Sequence, residues 1–134
     1  MEMIVNIDVD DLDKAVAFYR DALGFCMERR LFEGSVAEMT GASSKIHLLV
    51  KTPGSAASPP AEIFRSYQRH WTPVHLDFVV EDVDVAVRRT VDAGATLEGD
   101  IRSFNWGRLA TLSDPFGHGF CLLQFAGKHY EQVA

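Results

Sequence analysis

The chain contains one supersecondary pattern twice, and few folds satisfy that constraint. Residues 4–23 (IVNIDVDDLDKAVAFYRDAL) align with residues 75–94 (HLDFVVEDVDVAVRRTVDAG) at a constant offset of 71. Identities fall at Val9/Val80, Asp11/Asp82, Asp13/Asp84, Ala15/Ala86, Val16/Val87, Asp21/Asp92 and Ala22/Ala93. A second echo, IHLL (46–49) against FCLL (120–123), closes each copy at an offset of 74. Each copy cannot bury its own apolar faces outside a packed unit, so two similar modules are expected.

Within the first copy, Val5, Ile7 and Val9 alternate with Ile4, Asn6 and Asp8, as in a half-buried strand. Asp11 stands as a helix N-cap. Leu12, Val16, Tyr19 and Leu23 form one helical stripe, and Gly24 follows as a stop. Strands are expected around 26–32, 35–40 and 45–51. The second copy repeats the plan. It has a strand over 74–80, Asp82 as cap, a helix over about 83–93 ending at Gly94, and strands near 96–98, 108–113 and 119–125. DPFGHG (114–119) is a turn signal. The pattern predicts an α+β chain: a first βαβββ module at 1–52, a linker at 53–73, a second βαβββ module at 74–126 and a tail at 127–134. The linker is Pro/Ser/Ala-rich at its start. Its residues 61–70 can form a short amphipathic helix presenting Ile63, Phe64 and Tyr67.

The net charge of −6 with no clustered Lys or Arg disfavours nucleic-acid binding. No apolar run approaches the ~20 residues of a membrane span. The start carries no leader pattern, and the two cysteines, Cys26 and Cys121, have no paired spacing. A reduced, cytoplasmic protein is therefore expected.

VDDLDKAVAFYRDALGF (9–25), HLDFVVEDVD (75–84) and WGRLATLSDPFGHGFCL (106–122), in that order, resemble the vicinal oxygen chelate superfamily. That superfamily includes glyoxalase I, fosfomycin-resistance proteins, bleomycin-binding proteins and extradiol dioxygenases. The resemblance spans roughly residues 3–126. It implies a cupped mixed eight-stranded sheet with helices on its outer face, a small-molecule ligand on the concave face, and a homodimer. It also implies metal-ligand positions at Ile4, His47, His75 and Cys121. Ile4 cannot ligate, and Cys121 stands where the family's enzymes carry a carboxylate, so glyoxalase, epimerase and extradiol dioxygenase chemistry is disfavoured.

Two readings of the remaining residues compete. His47, His75 and Cys121 can form a zinc-type site for a divalent metal (Zn, Fe, Ni or Mn), with Asp77 orienting His75. Alternatively Cys121 packs as a small apolar residue, no cofactor is required, and the protein binds a small molecule through Asn6, Asp8, His75, Asp77, Trp106 and Arg108. Asp8 and Asp77 would then favour a polar or cationic ligand, Trp106 would stack on it and Arg108 would clamp an anionic group. Cys121 as a nucleophile would need His47 or His75 as its base. His118 is expected to stabilise its turn, Phe18 and Tyr19 to be core, and Glu28 or Glu38 to restore a carboxylate if the strand register allows. A third reading makes residues 52–73 a docking element for a partner.

Overall fold

A computed structural model describes residues 1–58 and 62–133 and resolves the chain into two compact units, Met1–Gln68 and Arg69–Ala134. In the first unit β1 (Ile4–Val9) runs into α1 (Leu12–Leu23), followed by β2 (Cys26–Leu31), β3 (Val36–Thr40) and β4 (Lys45–Val50). The sheet order is β1-β4-β3-β2, with β1 and β4 parallel and the other pairs antiparallel. The Asp11 carboxylate accepts from the Lys14 amide at 3.0 Å and caps the helix. Gly24, at φ 75°, closes it with a left-handed residue that a side chain would strain.

The alternation read from the sequence decides the two faces. Ile7, Val9, Ala37, Met39, Ile46 and Leu48 are buried, as are Leu12, Ala15, Phe18, Tyr19 and Ala22 of α1. Phe18 and Tyr19 are thus core residues, as expected. Asn6, Glu38 and His47 occupy the opposite face of the sheet.

The second unit has β5 (Leu76–Val79), α2 (Val83–Asp92), β6 (Thr96–Leu97), β7 (Arg102–Phe104), β8 (Gly107–Ser113) and β9 (Gly119–Phe125). Its order, β5-β9-β8-β6, repeats that of the first unit, with β7 also paired to β8. β6 and β7 pair with successive parts of the same strand, at Leu97↔Leu112 and Arg102↔Leu109. Together they take the place of β2, so the nine strands are the eight expected with one interrupted. The sequence reading missed β7 because its three residues are all exposed and carry no apolar alternation. Phe120, Leu122, Ala110 and Leu112 are buried on the face shared with Val83 and Val87 of α2.

The connector differs from the expected form. Over residues 62–70 there is no helix; Phe64 instead makes an antiparallel bridge to Ala56, and Arg65 and Ser55 are joined by a 2.9 Å backbone hydrogen bond. Ala61, the start of the expected helix, lies outside the described residues together with Pro59, Pro60 and Ala134. Arg65 fixes the segment: it donates to Asp8 at 2.6 Å and also to Ser55 Oγ and the Ala57 carbonyl, both at 3.3 Å. Tyr67 donates its hydroxyl to the Lys51 carbonyl at 2.7 Å. Four polar contacts therefore replace the apolar stripe that a helix would have presented. Ile63 and Phe64 remain exposed. Among the described residues, no helix is long and apolar enough to cross a membrane.

Candidate functional site

Strand pairing arranges the polar residues of each unit in one transverse row. In the first unit Asn6 on β1 pairs with His47 on β4, which pairs with Glu38 on β3. Glu38 is only 3% exposed. Its carboxylate meets His47 Nε2 at 3.0 Å and accepts from Arg29 Nε at 2.9 Å and Lys45 Nζ at 3.3 Å. Chiefly through the His47 hydrogen bond, its pKa falls to about 2 despite burial. The register left open by the sequence therefore turns Glu38 onto the face of His47, and Glu38 binds that imidazole directly.

In the second unit Asp77 on β5 pairs with Cys121 on β9, and Cys121 pairs with Thr111 on β8. The two rows occupy corresponding places in the two sheets, but their chemistry differs: amide, imidazole and carboxylate in one, carboxylate, thiol and hydroxyl in the other. His75 precedes β5 by one residue, and its Nε2 lies 3.4 Å from Asp77 Oδ1. Donor atoms of His75, Asp77 and Cys121 all lie within 4.8 Å of one another. Cys121 is buried, and that burial pushes its thiol pKa up, with the neighbouring Asp77 adding to the effect. A protonated thiol is a poor nucleophile, which counts against covalent catalysis by Cys121.

Trp71 is a neighbour that the sequence reading did not single out. Its ring lies 4.7 Å from that of His75, and a Cβ at Gly119 would collide with it. Arg69 approaches the same indole at 5.5 Å while pairing with Glu98 through 2.5 and 2.6 Å hydrogen bonds. Trp71 sits in a connector with no periodicity, so its only sequence signal was its aromaticity.

The other expected residues are placed differently. Asp8 is paired with Arg65, which neutralises half of the acidity assigned to the binding face. Arg108 shares the α2 side of its sheet with Ala110 and Leu112 and donates to Asp84 at 2.6 and 3.2 Å. As an anion clamp beside Cys121 it is therefore corrected: alternation along β8 points Thr111, not Arg108, to the Cys121 face. Trp106 stacks on Phe104 at 4.8 Å and meets Tyr130 of the tail at 5.2 Å, so it belongs to an aromatic cluster. Glu28 is exposed and lies 3.8 Å from Lys45. Ile4 is exposed on β1. His118 meets His70 across the turn, at 2.9 Å between Nδ1 and Nε2.

Both rows lie on β-strands of repeated βαβββ units, and a family model for a glyoxalase-like domain matches residues 4–123. The chain belongs to the glyoxalase-like family, within the vicinal oxygen chelate superfamily. The glyoxalase-like chain is similar in fold to the fosfomycin resistance protein FosX of Listeria monocytogenes (TM-score 0.72, 20% identity, 99% of this chain and 98% of that one). It also resembles TnmS3, an antibiotic-binding protein of Streptomyces sp. CB03234 (TM-score 0.64, 25% identity, 94% and 96% covered). Anthracycline biosynthesis protein DauV of Streptomyces sp. strain C5 is 28% identical over 120 residues, 90% of this chain and 40% of that protein. The chain spans between 32% and 40% of the length of the curated relatives it matches.

The metal that many glyoxalase-like proteins hold can be tested against the donors present. One imidazole, one carboxylate and one thiol, close together with an edge open to solvent, fit the requirement of three protein ligands and a free position for a divalent ion such as zinc. The carboxylate comes from Asp77 on β5, one strand away from its family position at residue 121. His47, the remaining expected ligand, stands in the first unit on Glu38.

Proposed function

We propose that this protein binds a small molecule through the polar sheet faces turned away from its helices, and that it does so without a metal. The observation that carries this reading is Cys121: a buried thiol with a raised pKa stands where metal-dependent relatives need a charged ligand. Beside it, the exposed His75–Asp77 pair offers hydrogen bonds and a negative charge, and the half-exposed Trp71 offers an apolar plate. A planar, cationic, aromatic compound matches that combination, with the carboxylate taking the cation and the indole the ring. The antibiotic-binding and anthracycline-biosynthesis relatives are consistent with ligands of this size and shape.

The experiment is a thermal-shift and calorimetric screen of planar aromatic amines, anthracyclines included, against untagged protein. The reading expects a hit whose affinity survives chelator and falls roughly tenfold or more in Asp77→Asn or Trp71→Ala, the loss of one charged or stacking contact. Indifference of every hit to both variants would overturn it.

A second reading rests on the donor cluster itself. With a divalent ion held by His75, Asp77 and Cys121, the site would supply Lewis-acid activation of a bound oxygen for lyase- or isomerase-type chemistry. Metal analysis by plasma mass spectrometry decides between the two: about one ion per chain, lost in His75→Ala with the fold intact, selects the second.

A homodimer belongs to the same proposal. β2 is an edge strand exposed along its length except at Leu31, with Met27 43% exposed, as expected of a surface that a second copy would cover. The free cysteines suit a cytoplasmic setting. A docking role for the connector is less favoured, because Arg65 and Tyr67 are engaged within the first unit.

A further inference from the structure

His70 and His118 are 48 residues apart in sequence, yet His118 Nδ1 and His70 Nε2 face each other at 2.9 Å, with the rings nearly perpendicular. Neither position is incidental to the backbone. The His70 amide donates to the Gly117 carbonyl at 2.9 Å, and the two residues form an isolated parallel bridge. His118 is held through its own amide, which donates to Asp114 Oδ1 at 3.0 Å, and its carbonyl, which accepts from the Asp114 amide at 2.9 Å. The DPFGHG turn and the start of the second unit thus pre-position two imidazoles. Side-chain placement costs little when the backbone has already fixed both ends.

We propose that this pair is a second, independent metal-binding site: a two-imidazole chelate for a tetragonal divalent ion such as Ni(II) or Cu(II). Metal–imidazole bonds are about 2.0 Å long, and two of them at right angles place their nitrogens about 2.9 Å apart. A tetrahedral ion would need a separation nearer 3.3 Å by the same geometry, so the spacing favours square-planar preference over zinc. The chemistry balances without loss of a proton. In the hydrogen-bonded pair one facing nitrogen carries a hydrogen; that ring shifts its proton to its other nitrogen, and both facing lone pairs then point at the metal. Water completes the coordination. The buried Asp114 carboxylate beside the pair favours a cation, while the nearby Arg69 guanidinium is committed to Glu98. A bound ion would fasten the chain just before Trp71 to the turn that begins β9.

The test uses untagged, chelator-treated full chain and Ni(II) alone, followed by calorimetry. Cys121→Ser, which breaks the His75/Asp77/Cys121 cluster, separates this site from that one. The proposal expects one Ni(II) equivalent that persists in Cys121→Ser and binds about tenfold or more weakly in His118→Asn and in His70→Gln, because a two-point attachment becomes one-point. Each substitution keeps a neutral polar side chain, and the turn is held by backbone groups, so apo melting curves identify any variant that fails to fold. Nuclear magnetic resonance of the wild type gives a readout that needs no variant: substoichiometric Ni(II) should broaden the His70 and His118 ring signals first. Retention of Ni(II) affinity in both histidine variants, its loss in Cys121→Ser alone, or first broadening at other histidines would overturn the proposal.

Discussion

Glu38 illustrates how a single buried charge shapes its surroundings. Its carboxylate is nearly enclosed yet ionised, because an imidazole, a guanidinium and an ammonium converge on it. A carboxylate whose pKa falls on folding contributes stability that is fully present above its unfolded value near 4.5 and is lost as pH falls towards about 2. Denaturant unfolding of wild type and Glu38→Gln should therefore differ most above pH 4.5, with the gap shrinking steadily below it. A constant gap across that range would remove Glu38 as the source. Gly119 makes a different demand. Any side chain there meets the Trp71 ring, so Gly119→Ala must displace the indole from His75. The expected result is a loss of about 1–3 kcal/mol, typical of overpacking, and a shifted tryptophan fluorescence spectrum.

At the scale of elements, both helices begin identically. Asp11 caps α1 and Asp82 caps α2, the latter accepting from the Val85 amide at 3.1 Å. Asp11→Ala and Asp82→Ala should each cost about 1 kcal/mol, measured by chemical denaturation, and the two losses should add because the caps share no partners. The connector depends instead on one guanidinium. Arg65→Ala removes its bonds to Asp8, Ser55 and Ala57 together, and a weakened segment should open without global unfolding. Limited proteolysis should then cut within residues 52–68 faster than in wild type, with little change in the main melting transition. Equal cutting rates would mean that Tyr67 and the backbone bridge suffice.

At the scale of the whole molecule, the repeat governs the architecture and its divergence governs the function. Chelator treatment should leave the melting temperature of the purified protein unchanged if neither unit needs an ion to fold, and a drop of several degrees would reassign the His75 cluster as structural. Much of the fold was legible in the chain because it depends on local periodicity. Alternation at Val5, Ile7 and Val9, caps at Asp11 and Asp82, and stops at Gly24 and Gly94 are encoded within a few residues of one another. His75, Asp77 and Cys121 were also readable as neighbours, since the repeat aligns their strands. Register and long-range pairing were not. The sequence left open which way Glu38 faced, put Arg108 on the wrong side of its strand, and gave residues 61–70 a helical stripe. Only tertiary contacts decided these: a one-residue change in pairing reverses every side chain of a strand, and Arg65 found Asp8 across 57 residues. Local pattern determined the elements and their order; the polar partners that set the site's charge came from parts of the chain that share no period.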